Sequence, residues 1–405
     1  MKPLEGIKVI DLSQFAAAPA VGRMMGEWGA EVIKVETAAG DGNRFNGAMC
    51  KIPIVSDDEN PCFDTCSAFK KYTSINLKTI EGRSILDKML ETADVLIMSF
   101  REESARHIQV DYETIHSKFP RIVYVKSAGF GDEGPLKDVG GFDLTAYGAR
   151  GGVTGNLSQL GGEPINPIPS FGDFQLSFGM CAAALAALIG REKTGVGDKI
   201  VGNLYNTALF VNSWAIMGTE GGNHYPYSRK DVPTPTSNTY MSSDGKWLQL
   251  CGPTYGLFYN RVMKVIGRED LIDNPRYCNW AKIQNEKITG EVVSIIEEAI
   301  EKRTADEWMD LFQAADIPCE KVYSFEDILA DEHAWACHAL QKVKYPSGNY
   351  HTLVSLPMQL NSVGVSKFEG HTSKRLGYHT KEVLKEYGYS EEQISDWAKK
   401  GVVID

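Results

Sequence analysis

The sequence predicts an α/β protein: a large domain on a doubly wound parallel sheet, plus a smaller α+β domain. Three observations predict it. Short apolar runs at 7–12, 30–36, 94–100 and 121–125 are separated by helical patterns of about ten residues, the signature of parallel βαβ units. Near residue 225 the chain turns Pro-rich and polar, and hairpin signals replace the βα alternation. The chain has 405 residues, enough for two or three domains with at least one full core.

Taken in order, 7–12 reads as a strand, 19–28 as a helix and 30–36 as a second strand. Helix 80–92 leads into strand 94–100, and helix 112–118 into strand 121–125. Sheets of this kind bind ligands beyond the carboxyl ends of their strands. Those ends carry Ser13, Gln14, Phe15, Ala16 and Ala17, then Glu36 and Thr37, then Ser99, Phe100 and Arg101, then Ser127, Ala128 and Gly129. The first βα turn lacks G-x-G-x-x-G, but small residues 16–18 before Pro19 still bring a helix N-terminus toward a ligand, which suits phosphate. Residues 225–235 read as a linker. A hairpin follows at 240–243 and 246–250, joined by Asp244-Gly245, a tight-turn pair. Helices at 255–267, 290–302 and 305–315 come next, the last with a capping box of Thr304 and Glu307. A further hairpin at 345–356 and helices at 380–387 and 391–399, the latter capped by Ser390 and Gln393, complete the chain. The division expected is 1–225 for a large Rossmann-like domain, 226–330 for the small α+β domain, and 331–405 for a return segment completing the large one.

Composition narrows the function. The net charge of −11 and pI near 5.3 argue against a nucleic-acid or anionic-membrane partner, so an anionic ligand must be held by local basic groups and helix N-termini. The first twenty residues contain Asp11, Ser13 and Gln14, so no signal peptide is expected. The longest apolar run, 174–190, is interrupted by Gln175 and Ser177 and reads as a core helix rather than a membrane span. Cys62 and Cys66 have no downstream pair to complete a zinc site, and the eight scattered cysteines suit reduced thiols in the cytoplasm. No metal is expected. The missing glycine fingerprint argues against nicotinamide or flavin, and no metalloprotease, serine-hydrolase or P-loop motif is present.

Asp173 has the most informative surroundings. It lies in Pro169-Ser170-Phe171-Gly172-Asp173-Phe174-Gln175, where a Pro- and Gly-bearing loop opens the most apolar helix in the chain. A carboxylate there can cap the free amides of the first turn. It can also be a nucleophile, with Gly172 allowing close substrate approach and the amides stabilising developing charge. Local sequence leaves both readings open.

Larger motifs carry a resemblance. Residues 2–12 (KPLEGIKVIDL), 29–36 (GAEVIKVE), Gly129-Phe130-Gly131 with Gly134-Pro135, Gly141-Phe142-Asp143, Gly172-Asp173, 194–199 (TGVGDK), 379–384 (HTKEVL), Gly388 and 401–404 (GVVI) follow one another in the order and spacing of a single family. On these motifs the chain resembles the class III CoA-transferases, typified by formyl-CoA transferase, over essentially its whole length. Residues 267–271 (GREDL), 315–318 (ADIP) and Asp331, Glu332, Trp335 and Ala336 resemble more narrowly the 2-hydroxyacyl-CoA transferases of anaerobic amino-acid fermentation.

The resemblance implies coenzyme A as a substrate, with an acyl-CoA and a free carboxylic acid exchanging it. It implies Asp173 as the acyl carrier, supported by Gly172, Asp143 and Phe142. With an ordinary aspartate pKa near 3.9, Asp173 would be ionised at neutral pH and need no activating base. Phe15 and Ala16 fall where relatives wrap the CoA nucleotide, as do Asn76, Leu77 and Lys78, Lys78 as a phosphate partner, with Ser99 at a strand end beside them. Thr37 and His107 stand where the family has arginines, leaving Arg101 and Arg106 as substitutes. Asp143 matches an active-site acid and is also placed to cap a helix at 144–149. The family further implies ring-like subunits interlocked in a homodimer and, for 2-hydroxyacyl substrates, a 2-hydroxyacyl-CoA dehydratase in the same pathway. Its isomerase branch, the 2-methylacyl-CoA racemases, uses a His in Gly-His-Asp as second base. This chain has Phe142 there, an apolar ring that cannot exchange a proton.

Overall fold

The structure, a computed structural model, describes residues 1–405 and divides into two compact units. The first comprises Met1–Thr154, Asn166–Ile216 and Glu332–Asp405; the second comprises Gly155–Ile165 and Met217–Asp331. Against the expected boundaries, the second unit starts nine residues earlier, at 217 rather than 226, and takes in an excursion at 155–165.

The first unit opens with β1 (Lys8–Asp11), α1 (Ala17–Glu27), β2 (Glu31–Glu36), α2 (Pro61–Ser67), β3 (Lys71–Ile75), α3 (Ile80–Leu90) and β4 (Val95–Met98). It continues through α4 (Glu102–His107), α5 (Tyr112–Lys118) and β5 (Val123–Ala128) to a π-helical segment, Asp143–Ala149. After α6 (Val153–Asn156), whose last two residues belong to the second unit, come the long α7 (Phe171–Thr194), β6 (Lys199–Asn203), α8 (Leu204–Val211) and α9 (Ser213–Glu220), which passes into the second unit at Met217.

The second unit holds a three-stranded antiparallel sheet of β7 (Thr239–Met241), β8 (Trp247–Leu250) and β9 (Cys319–Lys321). Packed with it in one core are α10 (Tyr255–Val265), α11 (Trp280–Asn285), α12 (Thr289–Ile300) and α13 (Ala305–Ala314), and α14 (Phe325–Ala330) follows with no buried residue. Its core joins Tyr240, Leu248 and Leu250 of the sheet to Tyr259, Val262, Val293, Ile296, Trp308 and Phe312 of the helices. Thr304 and Glu307 form the expected capping box. The return segment adds α15 (Glu332–Ala336), the hairpin β10 (Leu340–Lys344) and β11 (Tyr350–Val354), α16 (Thr380–Glu386), α17 (Glu391–Lys399) and β12 (Val403–Ile404) to the first unit.

The main sheet runs β12-β3-β2-β1-β4-β5-β6, parallel throughout except for β12, which pairs antiparallel with β3. Side-chain alternation along each strand feeds two cores. Val9, Val32, Val95, Ile97, Val123 and Val125 face α1 and α7, while Ile10, Ile33, Leu96, Met98 and Tyr124 face α3, α5, α16 and α17. Strand order reverses between β1 and β4, so the loops after these two strands diverge and open a crevice at the carboxyl end of the sheet.

Candidate active site

The crevice is held from below by buried charge. Asp11 ends β1 with no exposed surface and accepts a hydrogen bond from Lys70 Nζ at 2.8 Å. Lys34, equally buried in β2, pairs with Asp41 Oδ2 at 2.8 Å and donates to the Ser13 carbonyl at 2.8 Å. Burial opposes ionisation of Asp11, but Lys34 and Lys70 outweigh it and hold its pKa down at about 2. Asp41 Oδ1 in turn accepts the Phe15 amide at 2.9 Å. This network fixes Phe15 in the left-handed region at φ +68°, an uncommon conformation for an aromatic residue and one that surrounding contacts must maintain. The neighbouring turn is tied in by Ser99, whose hydroxyl accepts the Gln14 amide at 3.0 Å.

Above this floor lies a cavity of about 260 Å³. Its walls are Gln14 to Ala18 at the start of α1, Ser99 to Glu102 after β4, Lys126 to Gly129 at the end of β5, and Lys137 and residues 139–142 with Asp132, Asp173 and Leu204. The Phe15 and Phe142 rings meet edge to face with centroids 5.8 Å apart, and both remain exposed. Ala16 lacks a side-chain cap for α1, so the first-turn amides at Ala17 and Ala18 are available at the wall.

Asp173 stands at the third position of α7, and the residue that opens this helix is Ser170, at φ +65°. Asp173 is therefore not a cap. The cap is supplied from elsewhere: Asp143 Oδ1 accepts the Gly172 amide at 2.7 Å and the Asp173 amide at 3.1 Å. Asp143 thus caps α7, not the segment it begins, which corrects the cap expected for 144–149; Phe142 opens that segment, and the Phe142 amide donates to the Thr145 hydroxyl. Gly172 has no room for a side chain, because a Cβ would come within 2.2 Å of Tyr147 Cγ and 2.6 Å of Asp143 Oδ1. Burial first, then the neighbouring Asp143 charge, pushes the Asp173 pKa up to about 7, with the Ser170 hydroxyl opposing. The ordinary aspartate value assumed from sequence does not hold in this setting. Burial also raises Asp143, against the pull of the amides it accepts.

The structure brings Phe15, Ala16, Ser99, Arg101, Phe142 and Asp173 to one cavity, with Gly172 and Asp143 directly behind Asp173. Arg101 is exposed at the lip with its guanidinium against Gly140. The other residues singled out from sequence lie off this cavity. Thr37 is exposed beyond β2; Asn76 shapes the turn after β3 by accepting the Lys78 amide; Leu77 packs on the core and Lys78 points to solvent. Arg106 pairs with Glu102 at 3.1 Å, and His107 is exposed at the end of α4. The sequence reading missed Lys126 and Lys137. Lys126 is held between Glu102 (2.9 Å) and Asp132 (2.8 Å), while Lys137 is exposed at the rim. The strand-end rule that selected Ser127 would have reached Lys126 one residue earlier. No three His, Cys, Asp or Glu side chains gather as a metal site.

Comparison with known proteins bears on this geometry. Residues 4–374 match the model of CoA-transferase family III. The (R)-2-hydroxy-4-methylpentanoate CoA-transferase of Clostridioides difficile is 40% identical over 400 residues, 99% of each chain. The cinnamoyl-CoA:phenyllactate CoA-transferase of Clostridium sporogenes is 40% identical over 397 residues, 97% of this chain and 95% of the relative. Among solved structures, a CAIB/BAIF family protein from Brucella suis superposes with a TM-score of 0.78 at 24% identity, over 95% of this chain and 99% of that one.

Proposed function

The chain belongs to CoA-transferase family III, and we propose that it transfers coenzyme A from an acyl-CoA or enoyl-CoA to an (R)-2-hydroxy acid of medium size and apolar side chain, through acyl intermediates on Asp173. The observation that carries this reading is Asp173 on the wall of a crevice at the sheet's switch point, in the same cavity as the Phe15–Phe142 aromatic pair.

In this reading the Asp173 carboxylate attacks the donor thioester, forming a mixed anhydride and expelling CoA thiolate. The thiolate attacks the aspartyl carbonyl, releasing the donor acid as its carboxylate and leaving an aspartyl-CoA thioester. The acceptor carboxylate then attacks the aspartyl carbonyl and expels the thiolate. Attack of that thiolate on the acceptor carbonyl gives the new acyl-CoA and returns Asp173. Thioester energy is conserved provided water is excluded. Amides at the start of α1 and the exposed cations Arg101 and Lys137 supply donors for CoA phosphates. The two 40%-identical relatives act, by their names, on 2-hydroxy acids with isobutyl and benzyl side chains, which the aromatic pair here would suit.

The same reading includes the interlocked homodimer. Its support is the apolar surface left on the first unit, where Ile189, Phe210 and Trp214 are 64%, 83% and 86% exposed. Eight free thiols suit a cytoplasmic enzyme. The same reading expects a 2-hydroxyacyl-CoA dehydratase to consume a 2-hydroxyacyl-CoA product.

Replacing Asp173 by Ala should abolish transfer while leaving CoA binding in place. A kcat/KM panel over 2-hydroxyisocaproate, phenyllactate, lactate, carnitine and oxalate tests the substrate; preference for oxalate or carnitine would end that assignment. Phe142→Ala should lower kcat/KM for the two bulky acids by roughly 10- to 200-fold and affect lactate less.

A further inference from the structure

We infer that Asp143 is a positioning residue for Asp173: its carboxylate clamps the first turn of α7 through two amides and, as a like charge beside the nucleophile, makes the reactivity of Asp173 answer to its own charge. The inference rests on the reading of Asp173 as the acyl carrier.

The geometry is a two-sided clamp from the π-helical segment. Asp143, only 8% exposed, accepts the Gly172 and Asp173 amides at 2.7 and 3.1 Å. One turn on, Tyr147 donates its hydroxyl to Gln175 Oε1 at 2.9 Å, and its ring fills the space a side chain at position 172 would need. These amides are the ones a helix N-terminus would otherwise offer to a neighbouring carboxylate or to a developing oxyanion. With the Asp143 carboxylate already on them, Asp173 gains little from the helix start and, where Asp143 is ionised, feels its charge instead.

The other groups around Asp173 do not replace that balance. The Ser170 hydroxyl comes from its own loop, and Cys66 of α2 lies near enough to feel its charge. Across the cavity stand Arg101 before α4, Glu102 of α4, Lys126 of β5, Asp132 and Lys137. Of these, Lys126 is held between Glu102 and Asp132 and is not free to turn to Asp173. Asp143 is the charge in contact with the Asp173 backbone.

Transfer requires the Asp173 carboxylate, so the wild-type rate should climb with pH and level off above about 7, where Asp173 has ionised. Asp143→Asn keeps an oxygen for both amides and removes the charge. Its acid limb should move to lower pH, raising the fraction of plateau rate at low pH about tenfold for each unit moved. Asp143→Ala removes the acceptor too, and should lower kcat at every pH with little change in KM. Profiles of kcat/KM from pH 5 to 9 for wild type, both variants and Asp173→Ala decide the matter. Hydroxylamine trapping of the Asp173 acyl adduct, read by mass spectrometry over the same range, gives a readout independent of turnover.

A superimposable limb in Asp143→Asn overturns the inference. So does equal impairment of the Asn and Ala variants at every pH with a wild-type profile shape. If circular dichroism shows Asp143→Asn unfolded, Asp143→Ser, a shorter uncharged acceptor, takes its place under the same criteria. An active Asp173→Ala would instead remove the carrier reading itself; an inactive one with an unmoved limb removes only the role of Asp143.

Discussion

Asp173 should destabilise the folded chain at the pH where it works, and Asp173→Asn measures by how much. The folded carboxyl is pushed from 3.8 to about 7, mainly by burial. At roughly 1.4 kcal/mol per unit, about three units correspond to about 4 kcal/mol; the side chain keeps some contact with solvent, so a discounted value of roughly 2–4 kcal/mol is expected. Between these two pH values the folded state holds a proton that the unfolded state has released. Stability of the wild type therefore falls as pH rises through this window and is flat with respect to this group above it. The isosteric amide does not titrate. Relative to wild type, Asp173→Asn should gain up to about 1.4 kcal/mol per pH unit between about pH 4 and 7 and hold that gain at pH 8. Scanning calorimetry of both proteins from pH 4.5 to 8.5, with intact mass checked for deamidation, reads the difference. A difference that stays constant with pH, or that shrinks on going alkaline, would refute the placement of Asp173 in a desolvated, like-charged setting.

Two further substitutions test the supports of the site. Gly172→Ala would put a methyl group into the Tyr147 ring and the Asp143 carboxylate, and should cost about 1–3 kcal/mol of stability together with most of the activity; a fully active, equally stable variant would contradict the clamp. Lys70→Met leaves the fully buried Asp11 without its 2.8 Å partner and should cost about 3–5 kcal/mol in urea denaturation, part of it recovered by adding Asp11→Asn. A cost below about 1 kcal/mol would show that the network does not hold the floor of the crevice.

The sheet was legible because its strands carry the pattern of a doubly wound fold in apolar side chains alone. Val9 and Ile10, or Leu96 and Ile97, feed opposite cores, and such continuous apolar runs cannot belong to a half-exposed strand. Strands β3 and β6 escaped the same reading. In β3 the buried residues include Thr73 and Ser74, which composition alone does not mark as core. They are buried because partners far along the chain satisfy them: the Thr73 hydroxyl donates to the Lys34 carbonyl, and the Ser74 amide donates to Thr380. In β6, Lys199, Ile200 and Val201 are only half-buried at the sheet edge, and the strand runs straight into α8 without a turn to punctuate it.

The site was legible at its nucleophile and along the strand ends, but the clamp was not, and the reason is physical. A cap is read from sequence by the residue beside the helix it serves, and Asp143 serves a helix that begins nearly thirty residues later. Charged residues inside strand patterns are just as silent about their partners. Lys34 alternates with apolar neighbours and reads as a solvent-facing position, yet it is fully buried against Asp41 and Asp11. Lys126, near the end of β5, is held by Glu102 and Asp132 in a similar arrangement. Lys34 and Lys126 are thus buried ions whose partners come from other segments of the chain. Periodicity reports which face of an element is apolar; it carries no information about which distant charge makes burial of a polar residue tolerable. That pairing exists only after the sheet has assembled: Lys34 holds Asp41, Asp41 holds the strained Phe15 backbone through its amide, and Asp143, reaching α7 from an earlier segment, adds to the burial that raises Asp173.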